Sequence, residues 1–308
     1  MTRAEPGASA LIERPAAAAH VACITAVLRG AGNPSPRLDA ELLVGHAFGR
    51  NRAWLHAHPD AELDPADAQR LAGWVERRAA GEPVAYIRGF KEWLSLRIVT
   101  DARALIPRPE TELLAEAAIS EISARLVRDD APVQVWEVAT GSGAVALAIA
   151  LRFRAALALG RLRLAASDVS AEALELASEN LAANGIGGVV TLACGDLLEP
   201  AVALDGEVDL VIANLPYLTT EEVDAAGGSV EWEPRAALDG GADGLDLLRR
   251  LVAELPRRLR SDGVALLEIG AGQADAVRAA VAAADPRTAI TTLRDLAAIE
   301  RVVRVARV

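Results

Sequence analysis

An amide side chain, a proline and an aromatic ring stand close together in Asn214-Leu215-Pro216-Tyr217. An Asn carbonyl oxygen can accept a hydrogen bond from a planar NH2 group, and a Tyr ring can cover that group's flat face. This combination suits chemistry on an amide, exocyclic amine or guanidinium nitrogen. The run just before it, Val208-Asp209-Leu210-Val211-Ile212-Ala213, is short, apolar and β-branched, as a central parallel strand should be. The tetrapeptide then falls at the strand's C-terminal edge, where open α/β sheets bind ligands. A strand running into a proline turn with no ligand is the plainer alternative. The rest of the chain favours the first reading.

A second constellation lies upstream. Val135-Trp136-Glu137-Val138-Ala139-Thr140-Gly141-Ser142-Gly143 reads as a strand ending in a glycine turn, with a helix opening at Ala144. Glycines there let backbone approach a ligand closely. Gly141-x-Gly143-x-x-Ala146 matches the relaxed dinucleotide fingerprint, with Asp168 as its later acid. Glu137-x-Ala139-x-Gly141-x-Gly143 fits S-adenosylmethionine (SAM) enzymes better, because Glu137 would repel a pyrophosphate and attract an ammonium or sulfonium. Asp168 ends a second strand and can accept both ribose hydroxyls; its alternative role is to cap the helix that begins near Ser170. Asp196 ends a third strand, placed to accept an adenine amino group, with Leu197 packing on the ring; alternatively it sits in a solvated turn. Thr140, Ser142 and Val169 fall within the same set of strand ends, and Asn214 closes it.

These side chains need a sheet to position them. From about residue 109 helical and strand patterns alternate: a helix over Glu110–Val127, then strands at 133–139, 161–168, 189–195, 208–213 and 263–269. Such alternation predicts an α/β, doubly wound parallel sheet with helices on both faces. Ile290–Leu293 and Arg301–Val308 read as two closing strands, one of them antiparallel. Residues 12–85 carry helical spacing instead, with Ser35 as the expected N-cap of a helix opening at Pro36. Ile87, Phe90, Trp93, Leu96, Ile98 and Val99 suggest a β-hairpin linker. The expected organisation is a helical domain over 1–85, a linker over 86–108 and a catalytic domain over 109–308.

Composition narrows the partners. The net charge of −11 is uneven. Residues 1–110 hold 14 Lys+Arg and 13 Asp+Glu, whereas residues 111–308 hold 18 and 30. An acidic main domain argues against a nucleic-acid partner. Lys91 is the only lysine, and His20, His46, His56 and His58 all precede residue 60, so the large domain offers no Lys or His as a base. The longest charge-free apolar stretch near the middle, Ala144–Leu151, is too short to span a membrane. Cys23 and Cys194 are far apart and show no metal or redox spacing. The opening Met1-Thr2-Arg3-Ala4-Glu5-Pro6 lacks a signal peptide's apolar core, and the expected compartment is the cytoplasm.

Taken together the motifs resemble class I SAM-dependent methyltransferases, and more narrowly the HemK/PrmC family. Gly81-Glu82-Pro83-Val84-Ala85-Tyr86-Ile87-Arg88-Gly89 and Leu105-Ile106-Pro107-Arg108-Pro109-Glu110-Thr111-Glu112 match family signatures. So do Glu233-Pro234-Arg235-Ala236-Ala237-Leu238, Asp243-Gly244-Leu245-Asp246 and Leu267-Glu268-Ile269-Gly270. The resemblance implies a Rossmann-like methyltransferase domain, SAM as cofactor, no metal, and a docking role for the N-terminal helices. It also implies methylation of the glutamine amide in the Gly-Gly-Gln motif of peptide chain release factors. Asn214, Leu215, Pro216 and Tyr217 would then be catalytic, with the Asn214 oxygen and the Leu215 backbone carbonyl accepting the two amide N–H bonds.

Four departures stand out. Leu215 replaces the second residue of the family's Asn-Pro-Pro-Tyr, and Ala139 replaces the first glycine of the cofactor loop. Trp93-Leu94-Ser95 occupies the place of Phe-x-Gly. The tail Asp295-Leu296-Ala297-Ala298-Ile299-Glu300-Arg301 lacks the usual glycine. They motivate other readings: a small-molecule N-methyltransferase acting on a free amide or guanidinium, and a non-catalytic binding protein with a decayed loop. Asn-Leu-Pro-Tyr also resembles the tetrapeptide of ribosomal RNA adenine dimethyltransferases, a reading the charge opposes.

Overall fold

The computed structural model describes residues 15–128, 131–199 and 206–307. The opening hexapeptide read for targeting, the first residues of the helical stretch expected from residue 12, and Val308 lie outside the described residues. The chain forms two compact units, divided between Arg88 and Gly89.

The first unit is helical: α1 (Ala17–Gly30), α2 (Pro36–Ala47), α3 (Arg52–Ala57), α4 (Pro65–Ala79) and α5 (Val84–Arg88). Ile24, Leu28, Leu43, Val44, Leu55 and Leu71 make its core. Asn51 and Asp64 cap α3 and α4 through their side chains. Ser35 stands at the N-cap position of α2, but its hydroxyl donates to Asp39 Oδ1 at 3.0 Å instead of capping a backbone N–H. Asp39 in turn accepts from the buried Arg78 at 2.7 Å, so a paired charge replaces the expected cap.

The second unit opens on an antiparallel hairpin, β1 (Phe90–Trp93) and β2 (Leu96–Val99). Trp93 pairs with Leu96, which leaves a two-residue loop with Leu94 at φ 45° and Ser95 at φ 61°. Both are left-handed, the geometry a two-residue hairpin demands to match strand twist.

The remaining elements are α6 (Thr111–Arg128), β3 (Val133–Val138), α7 (Ala144–Arg152), α8 (Arg154–Ala158), β4 (Leu162–Asp168), α9 (Ala171–Ala183) and β5 (Thr191–Cys194). They continue with β6 (Val208–Ala213), α10 (Thr220–Ala225), α11 (Asp246–Arg258), β7 (Leu259–Glu268), α12 (Ala274–Ala284), β8 (Thr288–Arg294) and β9 (Glu300–Arg307). Two 3₁₀ turns, Gly228–Trp232 and Arg235–Ala237, lie between α10 and α11. Among the described residues the strands form a sheet in the order β5-β4-β3-β6-β7-β9-β8. Strands β3 to β7 run parallel, and β9 is antiparallel to both β7 and β8.

Alternation along β3 separates two cores. Val133 and Val135 pack with α6 and α7 on one face, and Trp136 and Val138 pack with α11 and α12 on the other. Order reverses between β3 and β6, so the connections leaving their paired C-terminal ends run to opposite sides and open a crevice. The class I methyltransferase architecture expected from the sequence is the one observed. No helix among the described residues is long and apolar enough to cross a membrane, and no acidic, His or Cys cluster among them could hold a metal ion.

Candidate active site at the switch point of the sheet

A cavity of about 250 Å³ opens along the C-terminal ends of β3, β4, β5 and β6. It gathers most of the residues singled out from the sequence. Glu137, Ala139, Thr140, Gly141 and Ser142 supply one side, Asp168 and Val169 another, Asp196 and Leu197 a third. Asn214, Leu215 and Pro216 face them from the end of β6. Gly143 and Tyr217 do not line it.

The glycine loop is held by its neighbours. Thr140 N–H donates to the Ser167 carbonyl at 3.0 Å, and Gly141 N–H to Asp168 Oδ2 at 2.9 Å. The fully buried Asn180 donates to the Ser142 carbonyl at 2.9 Å and exchanges hydrogen bonds with the Val99 backbone. Gly141 has φ 54°, a left-handed conformation that glycine adopts without strain. Gly143 has a packing reason: a Cβ there would meet Ala177 Cβ at 2.9 Å. Ala139 holds φ 56°, so the backbone keeps a glycine-type conformation without the glycine.

Asp168 is not the cap of α9. Ser170 takes that role, accepting from Ala173 N–H at 3.1 Å. The two Asp168 oxygens accept one backbone N–H each, from Ser170 and Gly141, both at 2.9 Å. Each oxygen keeps a lone pair for a further donor. Burial raises the Asp168 pKa, and the backbone donors oppose the rise. Glu137 is more strongly perturbed. Burial pushes its pKa up to about 8, with the nearby Asp168 charge adding to the rise; Thr140 and the Ala146 amide in the first turn of α7 favour its ionised form. Yet Glu137 Oε2 and Thr140 Oγ1 are buried and lack a well-formed hydrogen-bond partner. Asp196 is paired through Oδ2 with Arg250.

The tetrapeptide is fixed from behind. Asn214 Nδ2 donates to Thr111 Oγ1 at 3.1 Å, and the Leu215 side chain is buried in the core. Leu218 N–H donates to the Leu238 carbonyl, Gly240 N–H to the Leu218 carbonyl, and Gln273 Nε2 to the Tyr217 carbonyl. A Cβ on Gly240 would lie 2.5 Å from the Pro216 carbonyl oxygen, and one on Gly244 2.2 Å from that of Tyr217. The glycines of Asp239-Gly240-Gly241-Ala242-Asp243-Gly244 therefore let one loop's backbone press against another's. Tyr217 sits beside the cavity against Gly270, its hydroxyl pKa raised first by burial and then by the charge of Glu268.

Residues 21–89 match the PrmC N-terminal domain and residues 135–232 a methyltransferase domain. The release factor glutamine methyltransferase of Bordetella pertussis is 39% identical over 270 residues, covering 87% of this chain and 93% of that protein. The protein of the same name from Deinococcus radiodurans is 39% identical over 286 residues, covering 92% and 95%. The chain belongs to the release factor glutamine methyltransferase family. A solved structure of the hMettl16 catalytic domain is similar in fold, with a TM-score of 0.50 at 13% identity, covering 78% of this chain and 81% of that one.

Within this family member, the sequence reading missed the residues that act at a distance. Glu233 accepts from Ile106 N–H at 3.0 Å and from Arg108 at 2.6 Å, tying together two segments that line the cavity. Asn180, Thr111, Gln273 and Glu268 also escaped notice as site residues. A charged residue inside the apolar run Leu266-Leu267-Glu268-Ile269 was the one local signal available.

Proposed function

We propose that this methyltransferase transfers a methyl group from SAM to the side-chain amide nitrogen of the glutamine in the Gly-Gly-Gln motif of peptide chain release factors. The observation that carries the reading is the meeting of Asn214, Leu215 and Pro216 with the acidic strand ends in one cavity.

The cavity's unmet polar atoms fit SAM. Glu137 Oε2 and Thr140 Oγ1 lack partners and suit an ammonium donor, whereas Asp168 has an acceptor site left on each oxygen for a diol. Asp196 and Leu197 would hold the adenine. Bound SAM supplies an electrophilic methyl carbon on a sulfonium.

The chain's own residues do the rest by orientation. An amide nitrogen is a weak nucleophile because its lone pair is delocalised into the carbonyl. Asn214 Oδ1 and the Leu215 carbonyl accept its two N–H bonds, which fixes the NH2 group and directs its lone-pair density at the incoming carbon. Pro216 restricts the backbone that carries these acceptors. Tyr217 stands beside the cavity, and its ring is assigned the amide's face. On gaining the methyl group the amide nitrogen becomes positively charged and releases one N–H proton to water, so the absence of Lys and His after residue 91 agrees with a reaction that needs alignment more than prior deprotonation.

Mass spectrometry after incubation with SAM tests the proposal, with release factor, a pool of free amino acids and RNA as separate substrates. A single added methyl on the release-factor glutamine is the expected result. Methyl transfer to a free amino acid or to RNA, with release factor untouched, would overturn it.

A further inference from the structure

Glu268 ends β7, the strand next to the one that leads into Asn214. It is 2% exposed, and neither carboxyl oxygen has a well-formed hydrogen-bond partner. A buried polar group left this way is costly and calls for an explanation. Methyl transfer as described above does not use it. Its surroundings are specific. Thr111, at the start of α6, and Asn214 both stand close enough to favour its ionised form. Glu110, also at the head of α6, opposes that form, while Arg301 on β9 supports it. The Tyr217 hydroxyl shares this field, along with Arg108.

We propose that Glu268 is a positioning residue which, through Thr111, fixes which end of the Asn214 amide faces the substrate. This rests on the reading that Asn214 accepts a substrate N–H.

A threonine hydroxyl has one proton and two lone pairs, so on its own it can meet either end of an asparagine amide. If Thr111 donated to Asn214 Oδ1, the Asn214 NH2 would face the cavity, opposing an NH2 substrate with a second donor. An ionised carboxylate can only accept. It takes the Thr111 proton, and Thr111 can then only accept from Asn214 Nδ2, the arrangement found at 3.1 Å. Oδ1 is left for the substrate. In this proposal the donors run one way, from Asn214 to Thr111 and on toward Glu268, which Asn214 also approaches directly. The Glu268 contact is looser than a formed hydrogen bond, as is common at catalytic groups until the substrate is seated. A protonated Glu268, or a glutamine in its place, can donate to Thr111 and reverse the chain.

The test uses the full chain with Glu268→Gln, Thr111→Val, Thr111→Ser and the Glu268→Gln/Thr111→Val double variant. Glu268→Gln and Thr111→Val should each lower kcat by about 10²-fold, the scale of losing one preorganised polar contact. SAM affinity should stay within a few fold. The double variant should be no worse than either single one, and Thr111→Ser should restore activity. Wild-type kcat should rise with pH through an apparent pKa of about 7, a limb that Glu268→Gln lacks.

A substrate-free readout separates this inference from the functional proposal. The NMR signal of the Asn214 side-chain NH2 should shift as Glu268 titrates in the wild type and should be constant in Glu268→Gln. Failure of the wild type to methylate release factor would sink the functional proposal and leave this signal to decide the orientation. An Asn214 NH2 signal indifferent to pH and to Glu268→Gln would overturn the inference, as would a Glu268→Gln variant with wild-type kcat.

Discussion

Replacing Glu137 by glutamine should remove a pH-dependent load on the fold. The Glu137 carboxyl is buried at the end of β3, and its pKa rises from an ordinary 4.5 to about 8. The folded state therefore keeps a proton there that the unfolded chain has released. An acid with a raised folded pKa contributes stability that is fully present below about 4.5 and is lost as pH climbs through about 8. Within that window each pH unit removes about 1.4 kcal/mol. Glutamine is neutral throughout and carries no such slope. The difference in unfolding free energy between wild type and Glu137→Gln should shift by roughly 2–3 kcal/mol, in the variant's favour, between about pH 5.5 and about pH 7.5. Urea denaturation of the full chain at several pH values measures it. Glu268 and Asp168 titrate in both proteins, so their contributions largely cancel in the difference. The same ionised carboxylate is what an ammonium needs, so wild-type SAM affinity should tighten as pH approaches 8, and the variant's should be weaker and flat. Parallel stability curves for the two proteins across this window would refute the reasoning.

Asp168→Ala should weaken SAM binding by about 1.5–3 kcal/mol, the range for hydrogen bonds to a charged group, as read by calorimetry; unchanged affinity would leave Asp168 only its role of holding Gly141. Asn214→Ala should abolish methylation with SAM affinity kept within a few fold, and Tyr217→Phe should be milder than Tyr217→Ala in turnover assays, because the ring and not the hydroxyl is invoked. Ala139→Gly should relieve a left-handed residue costing about 1–2 kcal/mol, partly offset by the greater freedom of an unfolded glycine, for a net gain of up to about 1 kcal/mol in denaturation experiments. Its SAM affinity should change by less than about tenfold, or 1.4 kcal/mol. Gly244→Ala places a Cβ 2.2 Å from the Tyr217 carbonyl oxygen, at a residue already at φ 74°, and should depress kcat by displacing the tetrapeptide while SAM still binds.

What the sequence disclosed was local. The alternation of apolar runs with helical spacing located β3, β4, β5 and β6, and their ends located Glu137, Asp168, Asp196 and Asn214. Strand β7 began four residues earlier than its apolar run suggested, because Leu259 pairs with Val208 ahead of an irregularity, and regular pairing with β6 resumes only at Val264, past the polar stretch 260–263. Pairings across long separations left no local trace. Glu233 holds Ile106 and Arg108 across more than a hundred residues, and Asn180 joins Ser142 to Val99. A carboxylate or amide in such a role looks, in sequence, like any surface residue. Asp168 shows the same limit in another form: its position was legible, but its backbone partners were not.

The left-handed residues carry a meaning beyond the site. Leu94, Ser95, Ala139, Leu197 and Ala298 hold positive φ without being glycine. Ala139, Ser95 and Ala298 lie in the three segments where the resemblance led to the expectation of a glycine. At Ser95 and Ala298 pairing on either side holds this shape, Trp93 with Leu96 and β8 with β9, whereas Ala139 follows β3 and leads toward α7. At these two hairpins the strands, and not the residue in the turn, set the backbone shape. Glycines introduced at Ser95 and Ala298 offer a route to a hardier protein that leaves every residue of the cavity as it is.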